Sequence, residues 1–262
     1  MKGIEQTSVQ REQPLVSVIM PAYNAEKYIG EAISSVLSQT YGNWELFVLD
    51  DCATDRTAEI AAGFARSDPR IRLLRNPQNM GVAATRNRGA ALAGGEWIAL
   101  LDSDDIWHSD KLEKQLERAW ESGADIVYCP YSLVRESGEH VSDFFVPETT
   151  AYDAMLKNSV LSCSTVLLHR SILLSHRFTT KHYHEDYIFW LEILKAGYRA
   201  VSCRDILADY RIVKGSRSDN KLKSAKNRWL VYREIEKLSL MRSVGVFASY
   251  AIHGWLKHRK IW

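Results

Sequence analysis

Acidic side chains directly follow an apolar run near the middle of the chain. Residues 97–101 (WIALL) suit a strand that is buried on both faces, and Asp102, Ser103, Asp104 and Asp105 come next. Carboxylates that crowd at the end of one strand repel each other unless a cation lies between them. A hard divalent ion such as Mg²⁺ or Mn²⁺ prefers oxygen ligands and also binds phosphates. The pattern therefore predicts a site for a metal ion and a diphosphate.

A second acidic pair, Asp50 and Asp51, ends the apolar segment 44–49. In open α/β sheets, ligands bind at the C-terminal ends of the strands. If both strands belong to one parallel sheet, their ends meet at one edge. We therefore expect these two residues to line a single crevice together with Asp102 and Asp104.

Strand and helix patterns alternate over the first half of the chain, which predicts an α/β fold with a mostly parallel, doubly wound sheet. Strands are predicted at 16–22, 44–49, 71–74, 96–101 and 124–131. Helices are predicted at 25–39, 54–66, 82–92 and 109–120, with Thr54 and Ser109 as N-caps. The second half is less regular, with strands at 162–168 and 198–202, a helix at 187–196 and a polar loop at 210–220.

The composition is that of an ordinary globular protein: 262 residues, 46% hydrophobic and 25% charged, with a formal net charge of +2. This charge gives no reason to expect a general polyanion-binding protein. The four cysteines are far apart and form no CxxC pair, which favours reduced thiols over a zinc site or a disulfide scaffold. The polar N-terminus does not read as a signal peptide, and no apolar run reaches the length of a membrane-spanning helix. We expect a cytoplasmic protein.

Five separated segments together resemble the family 2 inverting glycosyltransferases with the GT-A fold. They are VSVIMPAYNAEKYI, SVLSQTY, LDDCATDRT, NMGVAATRNRGAALAGGEWIALLDSDD and HEDYIFWLEIL. The resemblance runs from about residue 16 to residue 218 and points to the bacterial branch that builds capsule, teichuronic-acid or O-antigen polysaccharides. It implies a Rossmann-like, mostly parallel central sheet flanked by helices, followed here by a helical C-terminal extension.

By this resemblance, three segments of the first half bind the nucleotide-sugar. The first is a turn made of Pro21, Ala22, Tyr23 and Asn24. In the family this turn lies against the nucleotide, so that Tyr23 contacts the base. Asp51 accepts a hydrogen bond from uracil or ribose with Asp50 as its support, and Arg86 reaches the diphosphate, whereas Arg88 is a surface or structural residue. The alternatives are a plain Pro-Asn turn at 21–24 and helix capping by the aspartates, although Thr54 and Asp55 are better placed to cap.

The resemblance identifies Asp102-Ser103-Asp104 as the metal-binding DxD motif. Asp104 would ligate Mn²⁺ or Mg²⁺ directly, and Asp102 would contact the ribose or a metal-bound water. The alternative is a group of helix N-caps before Lys111, for which Asp105 is the best candidate.

Glu185-Asp186 resembles the catalytic ED pair of the family. Asp186 is the candidate general base that takes the proton of the acceptor hydroxyl, and Glu185 would hold the acceptor sugar. Trp190, one helical turn later, would pack below the site. The alternative is an acidic pair that is favoured at a helix start by the helix dipole.

The chain departs from the family pattern in its final loop, where YR-x-H-x-x-S is common. Val213 stands at the expected His position, so Arg211, Lys214 or Arg217 are the candidates to supply charge to the diphosphate. The QxxRW motif of processive synthases is absent, which predicts one sugar addition per encounter. His182 and His184 have a spacing that a transition-metal site could use, but polar residues of an acceptor loop are the simpler interpretation.

These patterns divide the chain into a flexible lead-in at 1–14, a catalytic domain at 15–220 and a basic amphipathic arm at 221–262. Residues 15–108 would bind the nucleotide-sugar and residues 109–220 the acceptor. The arm, with helices at 224–238 and 243–256, mixes aromatic and cationic residues that suit an anionic membrane surface. A helical cap on the catalytic domain and a homodimer contact are the alternatives, and nucleic-acid binding fits poorly.

The sequence thus predicts a metal-dependent inverting glycosyltransferase. It would move one sugar from a nucleotide-diphospho-sugar, which we expect to be UDP-linked, to a hydroxyl of a glycan or lipid-linked acceptor in surface polysaccharide biosynthesis. A nucleotidyltransferase would carry a glycine-rich, basic loop after the first strand, and a Rossmann oxidoreductase would carry GxGxxG there, but residues 21–28 read PAYNAEKY. A non-catalytic protein that binds sugar nucleotides or membranes remains the alternative.

Overall fold

The computed structural model describes residues 13–213 and 221–258. Its strands are β1 (Val16–Ala22), β2 (Trp44–Asp50), β3 (Ile71–Arg75), β4 (Trp97–Leu100), β5 (Ile106–Trp107), β6 (Ile126–Tyr128), β7 (Tyr131–Arg135), β8 (His140–Phe144), β9 (Thr149–Thr150), β10 (Leu167–His169), β11 (Ala200–Ser202) and β12 (Ala208–Ile212). Its helices are α1 (Ile29–Leu37), α2 (Thr57–Ser67), α3 (Val82–Leu92), α4 (Lys111–Ser122), α5 (Tyr152–Lys157), α6 (Arg170–Ser175), α7 (Glu185–Lys195), α8 (Lys221–Leu230) and α9 (Leu240–His258). A 3₁₀ turn (Cys163–Thr165) and a π-helical turn (Val231–Ile235) complete them.

Eight of these strands form the central sheet, in the order β3-β2-β1-β4-β10-β6-β11-β9. The first four are parallel, and β10 runs antiparallel between β4 and β6. Ala22 pairs with Asp50, and Ile19 with Leu100, so β1, β2 and β4 end at one edge. The mostly parallel sheet expected from the sequence is confirmed, and its strand ends gather the acidic residues that follow them.

Successive residues of the central strands pack alternately into two hydrophobic cores, one on each face of the sheet. Val18 and Met20 of β1 pack in the core beneath α1, α2 and α4, whereas Ile19 between them packs in the core with α3, α5, α6, α7 and the C-terminal helices. All three side chains are fully buried. Helices therefore cover both faces, as the continuous apolar strands predict.

Helix α3 lies very close to the sheet at Gly89. A Cβ built on Gly89 would stand 2.5 Å from Ile19 Cγ2 and 2.8 Å from Leu49 Cδ1, both in the core. Any side chain here would push the helix off the strands. The glycine thus lets α3 hold Arg86, one turn earlier, at the edge where the strands end.

The predicted strand at 124–131 is wrong as a single element. It forms two strands, because β6 belongs to the large sheet and β7 to a second sheet of order β5-β12-β7-β8. Pro130 lies between them and has no N–H to continue a ladder. The predicted loop at 210–220 is wrong at its start, since β12 runs to Ile212 and pairs in parallel with β7.

Several predicted boundaries shift by a few residues. Helix α2 begins at Thr57 because Asp55 accepts a hydrogen bond from the Thr57 N–H, whereas Thr54 donates its N–H to Asn24 Oδ1 instead of capping. Helix α4 begins after Asp110, not after Ser109. The strand predicted at 162–168 is a 3₁₀ turn followed by β10. All four cysteines are free thiols; Cys129, Cys163 and Cys203 are buried and Cys52 is half-buried.

The C-terminal helices pack on the catalytic domain with one face. Val231, Tyr232 and Val246 are buried in the core that contains α5 and α7, and Tyr232 Oη donates to Leu156 O (2.6 Å). The Arg228 guanidinium lies 3.3 Å from the ring centroid of Tyr187 on α7. With this inward face the arm covers the catalytic domain, as the helical-cap alternative predicts. Within the described residues, no helix has both the length and the apolar character needed to cross a bilayer.

Candidate active site

A cleft of about 820 Å³ opens at the edge where β1, β2 and β4 end. Most of the residues singled out from the sequence line it: Pro21, Tyr23, Asn24, Asp51, Arg86, Asp102, Ser103, Asp104, Glu185 and Asp186. Its far end is formed by the loop 179–184 and by Ser224 of α8. The crevice inferred from the acidic strand ends therefore exists, and the arm contributes to its wall.

The turn after β1 presents an aromatic ring to this cleft. Tyr23 is 51% exposed, and Asn24 has a left-handed backbone (φ 49°) that turns the chain away from the strand. Ala22 and Asp50 are almost fully buried behind the wall and do not line the cleft, so the expectation that Asp50 lines the crevice is wrong. Asp50 Oδ1 accepts the N–H of Ala53 (2.8 Å), which fixes the loop after β2.

The Asp51 side chain holds the loop before α3 by binding main-chain N–H groups of that loop. Its carboxylate accepts the N–H groups of Met80 (2.7 Å) and Gly81 (2.8 Å) and the Asn76 side-chain amide (2.6 Å). These bonds use both oxygens, and the residue is only 4% exposed. The sequence predicted that Asp51 contacts the nucleotide. It gave no sign that Asp51 shapes the opposite wall of the cleft, because its hydrogen-bond partners lie up to about 30 residues later in the chain.

Burial and the charge of Asp102 raise the pKa of Asp104 to about 6. A carboxylate that is this reluctant to ionise gains from a nearby cation. Among residues 13–213 and 221–258, no three His, Cys, Asp and Glu side chains converge as a complete metal site. Two carboxylates that leave the other positions to diphosphate oxygens and water are nevertheless the donor set that Mg²⁺ or Mn²⁺ accepts, so the residues fit such an ion.

Asp105 does not cap a helix, and that expectation is wrong. Helix α4 begins six residues later, and the Asp105 side chain points into the protein with 2% exposure. It accepts hydrogen bonds from Ser164 Oγ (2.5 Å) and from the Arg211 N–H (2.9 Å). Burial and the charges of Asp104 and Asp102 raise its pKa well above the ordinary value. Asp105 therefore anchors the acidic segment from behind.

Arg86 joins the two acidic motifs. Its guanidinium lies 2.5 Å from Asp102 Oδ1 and 3.8 Å from Glu185 Oε1, and the residue is 5% exposed. Burial by itself lowers the pKa of Arg86, but the charges around it, among them those of Asp102 and Asp186, and its hydrogen bond to Asp102 together outweigh burial and raise the pKa. Arg88, by contrast, donates to Arg75 O and Asn76 Oδ1 outside the cleft, so its expected structural role is supported.

Glu185 and Asp186 form the first turn of α7. Asp186 faces the cleft, and its Oδ1 accepts the N–H of Tyr187 (2.7 Å). Below them, Trp190 is fully buried and meets Phe178 edge-on, with ring centroids 6.2 Å apart. The apolar face of α7 thus fixes the direction in which the acidic pair points.

The final loop gives a mixed result. Val213 lines the cleft, so an apolar side chain stands at the position where a histidine was expected. Lys214 and Arg217 lie outside the described residues. Arg211 does not line the cleft; its Nε donates to Asp104 O (2.9 Å) behind the acidic segment. Its expected role at the diphosphate is therefore replaced by a structural contact.

The two histidines face the cleft from the loop before α7. His182 and His184 both contribute to its lining, and His184 Nε2 lies 3.0 Å from Ser224 O. Neither takes part in a metal cluster among the residues that the structure describes. The acceptor-loop interpretation is the one that this arrangement favours.

Comparisons with known proteins agree with these features. Residues 17–165 match the family described as Glycosyl transferase family 2. The chain is 41% identical over 240 residues to the Bacillus subtilis putative teichuronic acid biosynthesis glycosyltransferase TuaG, covering 91% of this chain and 95% of that protein. It is 40% identical over 245 residues to the Escherichia coli UDP-Glc:alpha-D-GlcNAc-diphosphoundecaprenol beta-1,3-glucosyltransferase WfgD, covering 93% and 95%.

Solved structures share the fold. S. aureus TarS (residues 1–349) in complex with UDP-GlcNAc superposes with a TM-score of 0.72 at 23% identity, covering 90% of this chain and 71% of that one. The mannosyltransferase PcManGT of Pyrobaculum calidifontis, in complex with GDP-Man and Mn²⁺, gives a TM-score of 0.69 at 19% identity, covering 92% and 70%. At these identities the likeness is one of architecture, and it confirms the GT-A class of sheet.

Proposed function

The chain belongs to glycosyl transferase family 2, and from this premise we propose that it moves one sugar from a UDP-linked donor to an acceptor hydroxyl, with inversion at the anomeric carbon. The observation that supports this most is the bridge made by Arg86. It brings the DxD motif and the ED pair into one cleft, with Asp102 on one side of the guanidinium and Glu185 on the other. A transferase needs its donor and acceptor sites this close.

The donor would occupy the half of the cleft that residues 15–108 provide. Tyr23 is exposed at the turn after β1 and offers a ring to the base, while Met80 and Gly81 form the facing wall. Asp104 and Asp102 would hold Mn²⁺ or Mg²⁺, whose chemistry here is to neutralise charge on the departing diphosphate. Since Val213 brings no histidine, these carboxylates are the metal ligands that we assign among the residues that the structure describes.

The acceptor would enter from the side of residues 109–220, past the loop 179–184. Asp186 takes the proton of its hydroxyl while that oxygen bonds to the anomeric carbon. The bond between this carbon and the diphosphate oxygen breaks at the same time, and UDP carries away the electron pair. Glu185, held by Arg86, would orient the acceptor sugar. Attack from the face opposite the diphosphate inverts the configuration.

We further propose that the acceptor is a lipid-linked saccharide of surface polysaccharide biosynthesis. WfgD is named for a GlcNAc-diphosphoundecaprenol acceptor and TuaG for teichuronic acid biosynthesis, and the chain spans 95% of each. Aromatic and polar side chains at the acceptor end, among them Tyr183 and His182, suit a sugar ring.

Calorimetric titration with UDP, GDP and dTDP, with and without Mn²⁺, tests the donor. We expect UDP to bind in the micromolar range only when Mn²⁺ is present. Slow release of UDP from UDP-glucose in the absence of acceptor would distinguish an enzyme from a protein that only binds sugar nucleotides. Binding of GDP or dTDP in place of UDP would contradict the assigned base, and the absence of any nucleotide binding would overturn the function.

The outward face of the arm supports a proposal about location, namely a peripheral position on the cytoplasmic face of an anionic membrane. Met241, Val244, Ala248 and Ile252 are exposed and recur every three or four positions along one side of α9. Residues 221–262 contain ten Lys and Arg against two Glu. An apolar stripe in a basic segment fits the headgroup region of anionic lipid, where a lipid-linked acceptor also lies.

The double variant Met241→Asp/Val244→Asp is expected to bind anionic vesicles about tenfold more weakly or worse, since each change removes an apolar side chain from the lipid and adds a negative charge. Flotation with vesicles of phosphatidylglycerol measures this. Leu174→Asp on α6 is the control, because the exposure of Leu174 (64%) lies between that of Val244 (54%) and that of Met241 (88%), but Leu174 lies outside the arm. Equal flotation of all three proteins would refute membrane docking.

A further inference from the structure

We propose that Arg211 and Ser164 are positioning residues that hold the segment Asp102–Asp105 in the shape in which it meets the metal and the diphosphate. Neither residue was expected in this role from the sequence. The inference rests on the proposed function for what the segment binds, but the positioning itself follows from contacts within the chain.

Arg211 fixes the second half of the acidic segment. Its Nε donates to the carbonyl oxygen of Asp104 (2.9 Å), and its main-chain N–H donates to Asp105 Oδ1 (2.9 Å). One residue thus binds both the backbone of the candidate metal ligand and the side chain that follows it. Because the Asp104 carbonyl is tied down, the direction of its carboxylate into the cleft is restricted.

Ser164 fixes the first half from the other side. The Asp102 N–H donates to Ser164 Oγ (3.1 Å), and this hydroxyl donates in turn to Asp105 Oδ2 (2.5 Å). The Ser164 carbonyl accepts Trp107 Nε1–H (2.8 Å), which keeps the serine in place. Ser164 and Arg211 therefore meet on the two oxygens of Asp105 and enclose the segment in one buried chain of hydrogen bonds.

Arg211 is itself anchored at its far end. Its Nη1 donates to Glu136 O (3.2 Å), its Nη2 pairs with Glu31 on α1, and its guanidinium lies 5.0 Å from the centroid of the Tyr28 ring. The side chain is 3% exposed. Three parts of the fold thus converge on one guanidinium, a geometry that needs a planar group with several donors.

Lysine cannot reproduce these contacts, because its ammonium group is a single point with no Nε to reach the Asp104 carbonyl. In Arg211→Lys we expect amide hydrogen exchange in the peptide 100–106 to become about fivefold faster, the factor for one lost hydrogen bond. The dissociation constant of Mn²⁺ in the presence of UDP should rise about tenfold, as for other residues that orient metal ligands. The KM for the donor should rise with it.

Two further variants make the test selective. Ser164→Ala removes the hydrogen bonds on the other side of Asp105 with a minimal change in side-chain size. It should show the same faster amide exchange at 100–106 even if Arg211→Lys folds poorly. Arg118→Lys is the matched control, since Arg118 also donates to a main-chain carbonyl (Ser202 O, 3.1 Å) and to a carboxylate (Glu148, 2.9 Å), but away from the cleft. It should leave both exchange at 100–106 and Mn²⁺ affinity unchanged.

The outcomes separate this inference from the proposed function. If the wild type binds no UDP–Mn²⁺ but exchange at 100–106 accelerates in both variants, the donor assignment fails and the positioning role stands. If exchange at 100–106 is unchanged in Ser164→Ala and Arg211→Lys, or accelerates equally in Arg118→Lys, the positioning role is refuted.

Discussion

Asp186→Asn is expected to reduce transfer about a thousandfold or more while the protein stays folded and binds its donor. The amide cannot take a proton from the acceptor hydroxyl, and general bases of this kind contribute 10²–10⁴-fold to rate. The substitution keeps the size of the side chain, and Asn Oδ1 can still accept the Tyr187 N–H that Asp186 accepts. The loss should therefore appear in kcat and not in donor affinity.

Steady-state transfer from UDP-glucose to a lipid-linked acceptor, with UDP–Mn²⁺ affinity measured on the same samples, checks this. Glu192→Gln is the control: Glu192 lies on the same helix α7, but its carboxylate faces His176 (2.8 Å) outside the cleft. It should keep nearly wild-type activity. Transfer by Asp186→Asn within tenfold of the wild type would remove Asp186 from the role of base.

Asp104→Asn is expected to abolish the metal dependence of UDP binding. The amide has no charge to offer a divalent ion, and Asp102, whose charge is partly neutralised by Arg86, would be the one carboxylate left to hold it. The substitution should also stabilise the metal-free protein. The pKa of Asp104 is raised to about 6 in the folded state, so its carboxylate destabilises the fold above the pH at which it ionises in the unfolded chain.

This gives a pH signature with a defined sign. Between about pH 4 and pH 6 the folded state holds a proton on Asp104 that the unfolded state has lost, so the stability of the metal-free wild type falls as pH rises through this window. At pH 7, Asn should raise the free energy of unfolding by at most about 3 kcal/mol. Mn²⁺ affinity of the wild type should weaken below about pH 6, as the proton competes with the metal.

Chemical denaturation at pH 4.5 and pH 7, and calorimetry with Mn²⁺ and UDP, measure these effects. Asp110→Asn is the control, because Asp110 precedes α4 and pairs with Lys114 on the surface (2.9 Å). It should leave UDP–Mn²⁺ binding intact. Metal-dependent UDP binding by Asp104→Asn that equals the wild type would move the metal site elsewhere.

The parts of the fold that sequence predicted well are those where one periodicity dominates. Strands β1, β2 and β4 are continuous apolar runs in the sequence, because both faces of each strand are buried. These runs and the helical patterns between them therefore predict the elements directly. The second sheet was missed because its strands are short and partly exposed. Strand β8, for example, has no fully buried side chain. The chain passes from one sheet to the other at Pro130, between β6 and β7, and the continuous apolar run 124–131 gives no sign of this change.

For the candidate site, sequence named the residues but not their relations. The acidic motifs were expected at strand ends, and the structure brings them together. Arg86 lies 16 residues before Asp102 and 99 residues before Glu185 in the sequence. At these separations no local sequence pattern indicates that the three side chains meet. Arg211 was misplaced for the same reason, because its partners lie on β4's exit loop and on α1.

The bonds of Asp51 bear on how such a site can change over evolutionary time. They end on the main-chain N–H groups of Met80 and Gly81 and on Asn76, so every residue except proline, which has no N–H, can keep these bonds at position 80. Met80 is 41% exposed and faces the cleft. If the cleft binds the donor as proposed, we expect substitutions at position 80 to change donor preference while the loop and the fold stay intact.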